Sequence, residues 1–182
     1  AALQGITDPT NIPEVKAARD AANAAFDKAI SAARQALSDD LKASNPLDWA
    51  MLQHTLATAL LERGEINHDA EAIRDGVAAY RAVIEVHTRE QMPALWLRTT
   101  NNLAIALKEL SDQTSDAEPL RQAIGLYQQV VAATSRAQSP LDWADYEVNL
   151  GNALAVLTDY DKDQSHLADA LAAYTAASDV IT

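Results

Sequence analysis

The sequence predicts an all-α protein: three stacked copies of a helix pair behind one further helix, seven helices in all. Three observations predict this. The only three tryptophans, Trp49, Trp96 and Trp143, are each 47 residues apart, and a rare bulky residue at a fixed interval indicates a repeated structural unit. Alanine and leucine are abundant, whereas the 182 residues include only five glycines and six prolines, a balance that favours helices. Within each copy, apolar residues recur three or four positions apart, which places them on one stripe of a helix.

The amino-terminal segment is predicted to hold a helix without a repeat partner. Residues 1–11 lack apolar periodicity and contain a glycine and a proline, so we expect a loose arm. Residues 12–44 are expected to form one long capping helix, continuous to about residue 42. A shift of 47 residues aligns Phe26, Ile30 and Leu37 with apolar positions in the second helix of the first unit.

Three units follow, over residues 45–91, 92–138 and 139–182, and together with the capping helix they are expected to form one domain. Each unit opens with a proline, which suits the first turn of a helix. Asn45 precedes the first proline as a cap residue, and Ser139 repeats that arrangement in the third unit. Met92 occupies the cap position of the middle unit, so we expect a weaker helix start there.

The two helices of each unit are predicted to be joined by polar turns centred on Gly64, Ser111 and Tyr160. The apolar stripes on both helices predict a core of equivalent residues in the three units. Its members are Trp49, Trp96 and Trp143, then Leu56, Leu103 and Leu150, then Tyr80, Tyr127 and Tyr174.

Charge and composition exclude several classes of function. The formal net charge is −12, with 26 acidic and 14 basic residues, so we expect neither nucleic acid nor an anionic lipid surface as a partner. A basic protein segment or a cation suits this field; the alternative is that acidity only keeps the array soluble. The absence of cysteine excludes disulfides, thiolate metal sites and a cysteine nucleophile.

The sequence leaves the compartment open. No apolar run approaches the roughly 18 residues of a membrane span, so we expect a soluble chain without membrane insertion. The first residue is Ala1 rather than methionine, which is consistent with processing. A cytoplasmic protein and one exported after signal cleavage both fit.

The third unit carries the clearest resemblance to a known family. Leu150-Gly151 with Leu154, followed by Ala170 and Tyr174 at the Ala-x3-aromatic spacing, resembles the tetratricopeptide repeat. The resemblance covers about residues 45–182, although that repeat has about 34 residues and these units have 47. The Pro-Leu-Asp-Trp-Ala and Asn-Leu-Gly-Asn-Ala-Leu segments of this unit are similar to long-repeat bacterial variants of the family. The resemblance implies a right-handed superhelix of antiparallel helix pairs, an α-solenoid whose concave face binds proteins or peptides.

In that family the concave face is formed mainly by the first helix of each pair. The resemblance therefore implies a binding surface made of Met51, His54, Thr58, Arg98, Asn101, Asn102, Ile105, Asp145, Val148 and Asn152. Asparagine side chains can pair with both the donor and the acceptor of a peptide backbone. The alternative is that Asn149 and Asn152 belong to the repeat signature and satisfy groups between helices. Some family members clamp a carboxy-terminal carboxylate with Lys, Arg and Asn, but only Arg98 with Asn102 match here, and no lysine accompanies them.

One acidic loop has part of the pattern of a metal site. Asp159, Asp161 and Asp163 alternate like the first ligands of a calcium loop. Position six of that loop is Gln164 instead of glycine, and position twelve is Ala170 instead of glutamate. A solvated loop is the expected structure, and the three aspartates are only a weak metal candidate.

No catalytic constellation appears in the sequence. The four histidines do not pair at helical spacing, and no phosphate-binding loop or nucleophile motif is present. We expect a non-catalytic module without a cofactor that binds a protein or peptide, and a basic segment suits its acidic charge. The alternatives are self-assembly through the carboxy-terminal helix, a segment of a longer repeat protein and, most remotely, an enzyme or a metal-binding accessory protein.

Overall fold

The computed structural model describes residues 13–181, and the predicted arm over residues 1–11 lies outside them. In the described range the chain is all-helical and contains no strand, which confirms the predicted all-α class. The helices are α1 (Pro13–Ala36), α2 (Asp39–Ser44), α3 (Pro46–Asn67), α4 (Ala70–Ile84), α5 (Pro93–Thr114), α6 (Ala117–Ala133), α7 (Pro140–Asp161) and α8 (Ser165–Ile181). None of them is long and apolar enough to cross a membrane.

The described residues form eight helices rather than seven, because the predicted capping helix is broken. It ends at Ala36, and Ser38 begins the short α2 by accepting the Leu41 N–H at 3.1 Å. Serine favours such caps over helix interiors because its hydroxyl competes for backbone groups. The break also lets Leu37 and Leu41 pack against the cluster around Trp49, so the prediction of one continuous helix to residue 42 was wrong.

The predicted turns between paired helices were placed too early. The first helices continue past Gly64 and Ser111 and run up to residue 161, beyond Tyr160. They end instead at His68, Ser115 and Lys162, which have φ values of 54°, 54° and 62° and lie 47 residues apart. A residue in this left-handed region is a common way to end a helix.

Gly64 and Ser111 are small because the next helix packs against them. A Cβ atom at Gly64 would lie 2.5 Å from the Ile73 side chain. Ser111 is buried, and its hydroxyl donates a hydrogen bond of 2.5 Å to the carbonyl of Asp116. Residue types that predicted a turn therefore serve close packing within the pair.

Helix starts were predicted better than helix ends. The side chain of Asn45 accepts the Asp48 N–H at 3.3 Å, and Met92 supplies no side-chain cap, both as expected. Ser139 was expected to cap α7 but makes no such hydrogen bond. Its backbone torsions resemble those of Asn45, so the difference does not lie in the backbone.

From α3 onward each helix packs mainly against the next helix of the chain, whereas α1 and the short α2 both pack against α3, and α3 also contacts α5. The largest buried cluster draws on α3 to α8, and a second cluster joins α1 to α3. Of the predicted core residues, Trp49, Trp96, Leu56, Leu103, Tyr80 and Tyr127 are buried, whereas Trp143, Leu150 and Tyr174 are only partly buried. The less buried set belongs entirely to the third unit.

Candidate binding groove

The ten residues proposed for partner binding lie on the first helices of the three units, α3, α5 and α7. Met51 is the most open apolar member, 65% exposed. The exposed members are Met51, Arg98, Ile105, Asp145, Val148 and Asn152, and the partly buried members are His54, Thr58, Asn101 and Asn102. We call this set the first-helix row.

Two hydrogen bonds of equivalent position connect the first helices. Asn102 Nδ2 lies 3.5 Å from His54 Nε2, and Asn149 Nδ2 donates to Asn101 Oδ1 at 3.1 Å. His54 and Asn101 are equivalent residues of successive units, as are Asn102 and Asn149. These two contacts, named here the asparagine ladder, connect α3 to α5 and α5 to α7. Asn149, for which the sequence offered the repeat signature as an alternative role, thus contacts the row through Asn101.

The row is also tied to the second helix of its own unit in two of the three copies. The hydroxyl groups of Thr58 and Tyr80 lie 2.9 Å apart, and the Tyr174 hydroxyl donates to Asn152 Oδ1 at 2.8 Å. In the middle unit the equivalent residue is Ile105, which offers no polar group to its tyrosine. Two members of the row therefore help to position a structural tyrosine.

A cavity of about 320 Å³ opens at the α3 end of the row. Met51, His54 and Arg98 of the row line it, together with Leu47, Thr55, His87 and Leu95. The walls combine apolar side chains with two imidazole rings and one guanidinium group. This combination suits an apolar ligand group that also carries a hydrogen-bonding function.

The two histidines are held uncharged. His87 is buried, and its Nδ1 lies 3.3 Å from Thr99 Oγ1. His54 Nδ1 is buried and has no hydrogen-bond partner among the described residues. Burial, reinforced by the positive charge of Arg98, lowers the pKa of both rings. At neutral pH Arg98 is therefore the charged group of this cavity.

Sequence reasoning missed His87 and a set of cations over the tryptophans. Lys42 Nζ lies 4.4 Å from the ring centre of Trp49. The guanidinium carbons of Arg89 and Arg136 lie 5.6 and 4.9 Å from the rings of Trp96 and Trp143. Each cation precedes its tryptophan by seven residues, so the repeat itself carried this information. Such cation–π contacts stabilise the packing around each ring.

Two of the three aspartate side chains in this loop accept hydrogen bonds from backbone N–H groups of the same loop. Asp161 Oδ1 accepts the Asp163 N–H at 3.1 Å, and Asp163 Oδ1 accepts the Ser165 N–H at 2.9 Å. These hydrogen bonds lower the pKa of both carboxyl groups, and His166 Nε2 lies 3.1 Å from Asp161 Oδ2. Asp159 is exposed. Among residues 13–181 there is no group of three or more side chains suited to holding a metal ion.

Compared with known proteins, the chain matches no family model, no curated protein and no solved structure.

Proposed function

We propose that this chain is a non-catalytic interaction module, an α-solenoid of three tetratricopeptide-like helix pairs that binds a protein or peptide. The asparagine ladder is the observation that carries the proposal, because it joins α3, α5 and α7 side by side. Their exposed side chains then form one continuous surface. In a right-handed array of antiparallel pairs, that surface is the concave face.

The ligand that best suits this surface is an extended peptide with an apolar anchor. The anchor enters the cavity between Met51 and Leu95, where the exposed Arg98 can supply directional hydrogen bonds. Asn101 uses its Oδ1 in the ladder, so its Nδ2 can donate to a peptide carbonyl. The net charge of −12 increases the encounter rate of a basic partner.

The test is a pull-down from the source organism with three forms of the chain. The groove variant carries Met51→Ala and Arg98→Ala, two exposed positions, so its thermal stability should equal that of the wild type. The control variant carries Arg74→Ala and Gln129→Ala, exposed positions on the second helices. We expect one or more proteins to be retained by the wild type and the control and lost by the groove variant. The same proteins retained by all three forms would refute binding at the groove.

Self-association is a second candidate, favoured by the outer face of α8. Leu167 and Leu171 are 43% and 66% exposed, whereas their equivalents in the earlier units are buried: Ile73 and Leu120 for the first, Val77 and Ile124 for the second. A second copy or a further unit could cover this face. Light scattering over a concentration series tests the first option. A monomer at every concentration would eliminate it, and Leu171→Lys should abolish any dimer that is seen.

A further inference from the structure

A second cavity lies on the other side of the molecule, in the valley between α6 and α8 with α7 as its floor. Its volume is about 490 Å³. The lining includes Gln128 of α6, then Glu147, Leu150 and Leu154 of α7, and Asp169 with three alanines of α8. On a helix with about 3.6 residues per turn, Glu147, Leu150 and Leu154 face away from the row residues of α7. This valley is therefore separate from the groove, and its function does not depend on the groove.

The two equivalent valleys earlier in the chain, between α1 and α4 and between α4 and α6, show what normally occupies such a valley. Arg34 Nη2 of α1 donates to Asp75 Oδ2 of α4 at 3.2 Å. Arg81 Nη2 of α4 donates to Gln122 Oε1 of α6 at 2.9 Å. In both cases an arginine on one helix crosses the valley to an oxygen acceptor on the far side.

The third valley has the acceptor but no arginine. The residues equivalent to these pairs are Gln128 and Asp169, 47 positions after Arg81 and Gln122. Glutamine brings no positive charge, although the acceptor is now a full carboxylate. Among the described residues, Asp169 forms no ion pair.

Glu147 adds a second carboxylate to the same cavity. It is only 9% exposed, and within residues 13–181 it has neither a hydrogen-bond partner nor an ion pair. Burial raises the pKa of Glu147, against the opposing positive charge of Arg136. Its equivalents, Gln53 and Thr100, carry no charge. Burying a carboxylate without a partner costs free energy, which a positively charged ligand would offset.

We propose that this valley receives an arginine side chain from a partner polypeptide, whose guanidinium group pairs with Glu147 and Asp169. The guanidinium groups of Arg34 and Arg81 in the earlier valleys identify the chemistry. The apolar stem of an arginine would lie along the leucines and alanines of the lining, and its planar head can serve two carboxylates at once. An ammonium group has neither the fork geometry nor these precedents in the chain.

The direct test is a titration of the ¹⁵N-labelled chain with the capped peptide acetyl-Gly-Arg-Gly-amide, followed by NMR chemical shifts. We expect saturable shifts around Glu147 and Asp169, and none with the same peptide carrying citrulline, which has the same shape without the charge. Glu147→Gln with Asp169→Asn should weaken binding at least about tenfold, equivalent to about 1.4 kcal/mol. Asp179→Asn, an exposed change elsewhere on α8, should leave it unchanged. Equal binding of the citrulline peptide, or no shifts with the arginine peptide, would overturn the proposal.

A second variant tests the same site from within the chain. Gln128→Arg restores the residue type of the two earlier valleys and should place a guanidinium group in the cavity. We expect a higher melting temperature than the wild type and loss of arginine-peptide binding. Gln128→Lys should reproduce these effects less fully, because it lacks the fork. A Gln128→Arg protein that melts no higher and still binds the peptide would show that the guanidinium site has been assigned wrongly.

Discussion

Replacing Ser115 by glycine should stabilise the protein. Ser115 ends α5 with φ 54° and ψ 30°, a left-handed conformation that costs an ordinary residue about 1–2 kcal/mol. Glycine adopts this conformation without that cost, but its greater conformational entropy in the unfolded chain lowers the gain in stability by about 0.4–1 kcal/mol. The expected net gain in the free energy of unfolding is about 0.5–1 kcal/mol, near the centre of those ranges. For a chain of this size, that gain raises the melting temperature by about 1–4 °C.

Ser115 is the best of the three equivalent positions for this measurement. The other two carry side-chain contacts that a glycine would remove: His68 Nδ1 lies 3.3 Å from Gln113 Nε2, and Lys162 Nζ donates to the Asp159 carbonyl at 2.7 Å. Ser115→Ala is the matched control, because it removes the hydroxyl but keeps the Cβ atom. In thermal melts followed by circular dichroism, the alanine variant should have the melting temperature of the wild type, and the glycine variant a higher one. A glycine variant that melts no higher than the alanine variant would refute a left-handed helix end at this residue.

Three further predictions concern the core, a missing hydrogen bond and pH. Trp96→Ala should lower the free energy of unfolding by about 3–5 kcal/mol, because that ring is only 8% exposed. Trp143→Ala should lower it less, because the ring of Trp143 is only partly buried. Urea unfolding that gives the opposite order would contradict the burial argument. Ile105→Thr should give the Tyr127 hydroxyl a hydrogen-bond partner. Its free energy of unfolding should therefore exceed that of Ile105→Val, a side chain of the same shape without the hydroxyl, by about 0.5–1.5 kcal/mol. Equal melting temperatures of the two variants would refute this. Stability should fall as the pH drops below about 6.5, the usual pKa of histidine in the unfolded chain. The pKa of His54 is lowered in the folded chain, so the unfolded chain binds a proton at a higher pH than the folded chain does. Melting temperatures of His54→Gln should fall less steeply over the same pH range.

The repeat interval predicted the elements that depend on residue type alone. Proline has a fixed φ and lacks an N–H, so its place in the first turn of a helix follows from covalent chemistry. Accordingly, α3, α5 and α7 begin at the three predicted prolines, Pro46, Pro93 and Pro140. The all-α class followed from the same periodicity.

Helix ends depended on contacts that the sequence does not display. Gly64 and Ser111 have the composition of a turn, yet their small size is required by the helix that packs on them. The residues that do end the helices, His68, Ser115 and Lys162, share a backbone conformation but no turn chemistry. Only their common interval could have marked them.

The candidate groove was predicted as a set of residues but not as a network. The ladder pairs His54 with Asn102 and Asn101 with Asn149, residues 48 positions apart, whereas equivalent residues are 47 apart. Each bond therefore joins a residue to the position just after its equivalent in the next unit. This one-residue difference reflects how adjacent units are offset in space. That offset is a property of packing, and no periodicity in the sequence states it.

The copies are most informative where they differ. Each unit is an internal reference for the others, so a change that lowers stability in one copy alone requires an explanation outside the fold. Two differences meet in the third valley: Gln128 stands where the earlier valleys have Arg34 and Arg81, and Glu147 places a carboxylate where the first two units have Gln53 and Thr100. Both changes make the same cavity more negative. An external cation is the simplest physical reason for the two to occur together.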